Sequence, residues 1–165
     1  MFRKAMLIAF TAAVAGGLMA SATGGAEAAV RPAVPCATST VIQIESFAFH
    51  PAAVAPGGSS TATLAALNCT DQTQQTSEIW SGRFTGPSGA IPPGCPVIDP
   101  IALPVTFPPG GSVATSVTYL VPPSCTASEL VVTVDIDGQG RVLAHGTAVL
   151  TIISPVAGAR AGARH

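Results

Sequence analysis

Two acidic residues and one histidine near the C-terminal end are the residues of this chain best suited to catalysis. Asp135 and Asp137 are two positions apart, and His145 follows a glycine-containing turn. A histidine paired with an aspartate can activate a serine, and two carboxylates can act as acid and base. However, no G-x-S-x-G turn accompanies His145, and strand alternation places all three residues on a solvent face. We therefore expect no catalytic residue and predict that the protein is not an enzyme.

Metal-binding patterns are equally weak. The four cysteines contain no C-x-x-C pair, which argues against a zinc site. The stretch DIDGQG (135–140) lacks the later acidic ligand of a calcium loop. The segment FAFHPAAVAPGG (47–58) resembles cupredoxins, but Cys125 is followed by TASELVV and all methionines precede residue 19, so the copper ligands are missing. We expect no metal and no cofactor.

The first 28 residues have the pattern of a signal peptide. Arg3 and Lys4 form a positive start, an apolar stretch runs from Ala5 to Ala20, and Ala26-Glu27-Ala28 provides an A-x-A cleavage site. This pattern predicts cleavage before residue 29 and a secreted, extracellular protein whose cysteines can form disulfide bonds. The later apolar stretch 142–157 is interrupted by His, Gly and Pro, so we expect no membrane span.

Charge and composition limit the partners. Residues 29–165 carry five arginines and seven acidic residues, a net charge of −2. No clustered basic face is visible, so we expect no nucleic-acid partner. The single lysine and the abundance of Ala, Gly and Pro are typical of a GC-rich bacterial genome, such as that of an actinobacterium. We expect a monomer.

Short strand-like runs, each bounded by Pro, Gly, Asn or Asp, recur about every 12–18 residues after the signal peptide. This spacing predicts an all-β, seven-stranded immunoglobulin-like β-sandwich over residues 29–154, followed by a disordered tail at 155–165. The prolines at 100 and 104 confine the fourth run to a sheet edge. The predicted strands are 40–49, 59–68, 76–85, 97–107, 112–121, 129–137 and 141–153.

The last two strands form the clearest predicted hairpin. A three-residue loop at 138–140 would place Ile136 opposite Val142 and Val134 opposite Ala144. The residues Leu130, Val132, Val134, Ile136, Val142 and Ala144 would then face the core, with Thr133, Asp135, Asp137, Leu143 and His145 on the solvent face. Trp80, the only tryptophan, is expected at the centre of the core.

The predicted strand order restricts the disulfide pairing. Cys36 and Cys69 lie at one end of an immunoglobulin-like sandwich, whereas Cys95 and Cys125 lie at the other. Because half-cystines need Cα atoms within about 7 Å, we predict the bonds Cys36–Cys69 and Cys95–Cys125. Each closes a loop of about 30 residues, which contributes roughly 3–4 kcal/mol on the chain-entropy model.

Two resemblances bear on function. The segment SFAFHPAAVAPGGSSTATLAALNCTDQ (46–72) resembles the first two strands of bacterial immunoglobulin-like, CARDB-type domains. This resemblance supports the fold more than the function. The first functional hypothesis is a secreted, non-catalytic binding or structural module whose partner is an extracellular protein or a cell-envelope component. The segment GCPVIDP (94–100) resembles the reactive-site region of the subtilisin-inhibitor family, which implies that Val97, Ile98 and Asp99 enter a protease cleft. A third hypothesis is a small-ligand carrier with a cavity beside the alanine-rich strands.

Overall fold

The computed structural model describes residues 35–86 and 90–153. The predicted signal peptide and the C-terminal tail lie outside these residues. In the described part, no helix is long and apolar enough to span a membrane. The chain is all-β, and its strands are β1 (Ile42–His50), β2 (Ala53–Val54), β3 (Ser59–Asn68), β4 (Gln74–Thr85), β5 (Ile101–Phe107), β6 (Ser112–Leu120), β7 (Glu129–Gly138) and β8 (Arg141–Ile152).

The strands form two sheets in a sandwich-like arrangement. The three-stranded sheet has the order β1-β3-β6, and the five-stranded sheet has the order β2-β8-β7-β4-β5. All neighbours are antiparallel except β2 and β8, which are parallel. The two-residue β2 is one strand more than the sequence predicts. Strand β5 lies at a sheet edge as expected, but it begins at Ile101 rather than at residue 97.

Alternation along the strands builds the core between the two sheets. Trp80 is fully buried, as predicted, and the ring of Phe47 packs edge-on against it at a centroid distance of 5.4 Å. The alanines Ala62 and Ala66 of β3 belong to the same buried cluster as Trp80. The predicted core residues of β7 (Leu130, Val132, Val134 and Ile136) are all fully buried.

The predicted register of the β7–β8 hairpin is wrong. The turn contains two residues, Gln139 and Gly140, with φ of 54° and 77°, as a type I′ turn requires. A bulge then shifts the register, so that Ile136 pairs with Ala144 rather than with Val142. A bulge inserts one extra residue into one strand, and nothing in the alternation of β7 indicates its position.

The bulge also corrects the predicted position of two side chains. Leu143 was expected on the solvent face, but it packs against the core beside Ala144. A Cβ atom at Gly138 would lie 2.6 Å from Leu143 Cδ1, so the glycine makes room for this side chain. Val142, expected in the core, is instead exposed.

The two disulfide bonds join the predicted partners. Cys36, just before β1, is bonded to Cys69, just after β3. Cys95, between β4 and β5, is bonded to Cys125, between β6 and β7. In each pair the bond connects segments that different strands bring together, as the predicted strand order requires.

Candidate functional site

The segment between β4 and β5 is the candidate site. Residues 90–100, here called the disulfide loop, contain Cys95, the three predicted interaction residues and four of the chain's prolines. The loop runs beside the end of the sandwich that carries Cys125.

The disulfide loop is anchored to residues 124–126 by several independent contacts. Besides the Cys95–Cys125 bond, Thr126 donates both its backbone N–H (3.1 Å) and its hydroxyl (3.2 Å) to the carbonyl of Pro93. Gly94 has a φ of +74°, and a Cβ atom there would lie 2.0 Å from the Ser124 carbonyl oxygen. Only glycine permits this close approach of the two backbones, so the base of the loop is rigidly defined.

Ile98 anchors the other end of the loop. Its side chain is half-buried and packs against the core. A Cβ atom at Gly82 would lie 3.0 Å from Ile98 Cδ1 and 3.3 Å from Tyr119 Cε1. The missing side chain of Gly82 therefore creates the space into which Ile98 and the Tyr119 ring fit.

Two apolar side chains point away from this anchored base. Val97 is 74% exposed and Ile91 is 51% exposed. Both line a surface concavity of about 260 Å³, together with Pro96 and Ile98. Asp99, which follows Ile98 in the chain, is also exposed. Of the three predicted interaction residues, Val97 and Asp99 are thus presented to solvent, whereas Ile98 holds the loop in place.

Tyr119, behind Ile98, carries a buried hydroxyl group that has no hydrogen-bond partner among the residues the structure describes. Its ring packs against Phe49 at a centroid distance of 5.9 Å. Burial removes the phenolate from water and raises the pKa of Tyr119 to about 12.

We expect the stability of the protein to fall between pH 10 and pH 12. The unfolded chain ionises Tyr119 near its ordinary pKa of 10, whereas the folded chain keeps it protonated until about pH 12. The contribution of protonated Tyr119 to the free energy of unfolding is complete below pH 10. Its loss on raising the pH to 12 amounts to about 2–3 kcal/mol at most. Urea unfolding at several pH values, followed by Trp80 fluorescence, measures it.

Tyr119→Phe is the control for this prediction. Tyr119 is the only tyrosine and Lys4 is the only lysine, so few other groups titrate in this range. The variant should lose the alkaline dependence and be at least as stable as the original at pH 7, because it removes an unpaired buried hydroxyl. If Tyr119→Phe lost as much stability between pH 10 and pH 12 as the original protein, the effect could not be assigned to Tyr119.

The residues considered for catalysis are partly brought together. His145 Nδ1 lies 2.7 Å from Asp135 Oδ1, and both side chains are exposed on the outer face of the five-stranded sheet. The neighbour of Asp135 on β4 is Ile79, not a serine. Within the described residues, the structure gives His145 no hydrogen bond to a serine hydroxyl. The pair is an exposed cross-strand contact.

Sequence reasoning missed a buried carboxyl group. Glu78 is 1% exposed, and its Oε2 accepts hydrogen bonds from Trp80 Nε1 at 3.0 Å and from Thr115 Oγ1 at 2.6 Å. Thr115 belongs to the three-stranded sheet, so this carboxyl links the two sheets through their interior. The available signal was alternation: because Trp80 faces inward, the residue two positions earlier must do so as well.

Comparisons with known proteins give a structural likeness only. No family model and no curated protein match the chain. Among solved structures, the Pseudomonas fluorescens alkylpurine DNA glycosylase AlkC aligns with a TM-score of 0.50 and 12% identity, over 69% of this chain and 31% of AlkC. A Paenibacillus cycloisomaltooligosaccharide glucanotransferase aligns with a TM-score of 0.49 and 15% identity, over 67% of this chain and 14% of the glucanotransferase. The sporulation control protein Spo0M from Bacillus subtilis aligns with a TM-score of 0.44 and 17% identity, over 70% of this chain and 50% of Spo0M.

The chain therefore spans about a third of AlkC and about a seventh of the glucanotransferase. At these identities the likeness concerns the fold and does not extend to activity. The AlkC alignment shows a likeness of fold to part of a larger protein, and no family is assigned to this chain.

Proposed function

We propose that this chain is a secreted, non-catalytic binding module of a bacterium, and that it recognises an extracellular protein or a cell-envelope component through the disulfide loop. The observation that carries the proposal is Val97, which is 74% exposed on a loop that is otherwise firmly anchored. Exposed apolar side chains on a held loop are suited to a partner, because little conformational entropy is lost when it binds.

The finer architecture and the location belong to the same proposal. The order β1-β3-β6 in one sheet and β8-β7-β4-β5 in the other supports an immunoglobulin-like sandwich. Two disulfide bonds support an oxidising, extracellular environment. The N-terminal pattern supports cleavage of a signal peptide before residue 29.

The test compares two charged substitutions at exposed valines. Val97→Asp alters the disulfide loop, and Val142→Asp alters an exposed valine (56%) of β8, which serves as the matched control. Each purified protein is immobilised and exposed to the culture supernatant and envelope extract of the host, and retained species are identified by mass spectrometry. We expect Val97→Asp to lose about tenfold or more of the retained species, as hot-spot residues do, while Val142→Asp keeps them.

Equal retention by Val97→Asp and Val142→Asp would overturn the disulfide loop as the binding surface. Thermal unfolding of both variants accompanies the comparison. Because Val97 and Val142 are both exposed, both variants should melt within a few degrees of the original protein.

Protease inhibition is the second candidate function. It is favoured by the same loop, since Pro96 and Pro100 bracket Val97 and Asp99 beside a disulfide bond. With Ile98 packed inward, Val97 and Asp99 are the residues suited to enter a protease cleft. This candidate predicts inhibition of subtilisin-like proteases that is lost in Val97→Asp and kept in Val142→Asp. No inhibition across a broad protease panel would eliminate it.

A further inference from the structure

Among residues 35–86 and 90–153, no strand pairs with the second side of β6, which we call its open side. Strand β6 pairs with β3 through the register from Ser59–Leu120 to Leu67–Ser112, and it is the last strand of its sheet. Its nine residues, SVATSVTYL, contain no charge, no proline and no glycine. Such a strand is a template for pairing with another strand.

The hydrogen bonds to β3 identify the backbone groups at the open side. Val121 N–H donates to the Gly58 carbonyl (2.9 Å) at one end, and Asn68 N–H donates to the Gly111 carbonyl (3.0 Å) at the other. Because antiparallel pairs alternate between bonded and non-bonded positions, the odd-numbered residues of β6 bond to β3. The N–H and C=O groups of the even-numbered residues (Ser112, Ala114, Ser116, Thr118 and Leu120) therefore face the open side.

The other long edge strands carry protective features that β6 lacks. Strand β5 contains Pro104, which removes a backbone donor. Strand β1 contains a bulge between Ile44 and Ser46, with the charged Glu45 at the bulge. Natural sheets use prolines, bulges and charges to block unwanted pairing. On the outer face of β6, Ser112 at the first position donates a hydrogen bond to the Glu45 carboxyl group at 2.8 Å.

We propose that the open side of β6 is a dimer interface, on which β6 of a second copy pairs antiparallel about a two-fold axis at Ser116. In this register Ser116 faces Ser116 of the second copy, Ala114 faces Thr118, and Ser112 faces Leu120. Every one of these residues directs its N–H and C=O to the open side, so all five positions form bonded pairs. The result is a continuous six-stranded sheet made from two three-stranded sheets.

The strand is self-complementary in side chains as well. The even-numbered residues are all exposed on the outer face, and four of the five are Ser, Ala or Thr, so neither bulk nor like charge opposes the pairing. The proposed dimer differs from the monomer that the sequence led us to expect, because the edge position of β6 is visible only in the assembled sheet.

A charge-swap experiment on the purified, disulfide-bonded protein tests the two-fold register. Ser116→Lys places two lysines opposite each other at the axis, and Ser116→Glu does the same with two carboxylates. Sedimentation equilibrium should show a monomer–dimer equilibrium for the original protein and at least about tenfold weaker dimerisation for each variant. A mixture of the two variants should form a heterodimer, which also shows that both are folded. Ala48→Lys, on the exposed outer face of β1, is the control and should dimerise normally.

Hydrogen exchange separates the remaining outcomes. The amides of Ala114, Ser116 and Thr118 should be protected in the dimer and exchange freely in Ser116→Lys. Protection of these amides in the monomeric variant would mean that the chain covers its own edge, and it would overturn the proposal. A protein that remains monomeric up to millimolar concentration, or a mixture that forms no heterodimer, would overturn it as well.

Discussion

Glu78→Ala is expected to lower the free energy of unfolding by about 3 kcal/mol or more. The substitution removes the acceptor of both Trp80 Nε1 and Thr115 Oγ1. The indole N–H, in a fully buried side chain, is then left without a partner, and a cavity remains where the carboxyl lay. Chemical denaturation followed by Trp80 fluorescence gives the free energy and also reports directly on the environment of the indole.

Two conservative variants show whether the hydrogen bonds cause this loss. Glu78→Gln keeps a carbonyl oxygen that can accept from Trp80 and Thr115, so it should cost about 1 kcal/mol. Thr115→Val removes one donor and preserves the shape, so its cost should also be small. If Glu78→Gln were as unstable as Glu78→Ala, then loss of the two hydrogen bonds would not explain the effect.

Removing the Cys95–Cys125 bond is expected to cost about 3 kcal/mol, which corresponds to a fall of roughly 10 °C in Tm. The double variant Cys95→Ser/Cys125→Ser removes a cross-link between two positions that are 30 residues apart in the chain. It therefore gives the unfolded chain more conformational freedom, and it loosens the base of the disulfide loop. On the proposed function, binding or inhibition through Val97 should weaken as well, because the loop must then be ordered when the partner binds.

The Cys36–Cys69 bond provides a matched control for this prediction. Its separation of 33 residues is almost the same, so Cys36→Ser/Cys69→Ser should lose a similar amount of stability. It lies away from the disulfide loop in the chain, at the start of β1 and the end of β3. Partner binding should therefore be kept. An equal loss of binding in both double variants would show that global stability, rather than loop order, controls recognition.

Much of the fold follows from local patterns. The bounds of β3 are those predicted, and β4, β6, β7 and β8 differ by a residue or two at their ends. This agreement arises because strand alternation and turn-forming residues act over a few neighbouring positions. The disulfide pairing could be predicted too, since the order of the strands determines which cysteines lie at the same end of the sandwich.

The candidate site was only partly predictable. The resemblance to the subtilisin-inhibitor family implies that Val97, Ile98 and Asp99 lie together on a loop, whereas the strand pattern includes them in the predicted run 97–107. Neither distinguishes their roles. Ile98 turns inward because Gly82, on a different strand, leaves space for it. The position of Glu78 followed from alternation, yet its partner Thr115 lies on the opposite sheet.

The amino-acid sequence by itself thus determined most strand positions, the all-β class and the cysteine pairing. Tertiary structure alone decided the β7–β8 register, the inward turn of Ile98 and Leu143, and the position of β6 as the last strand of its sheet. The physical reason is the same in each case. Alternation specifies which face of a strand is buried, but the identity of the neighbour across a sheet or between sheets depends on contacts between residues far apart in the chain.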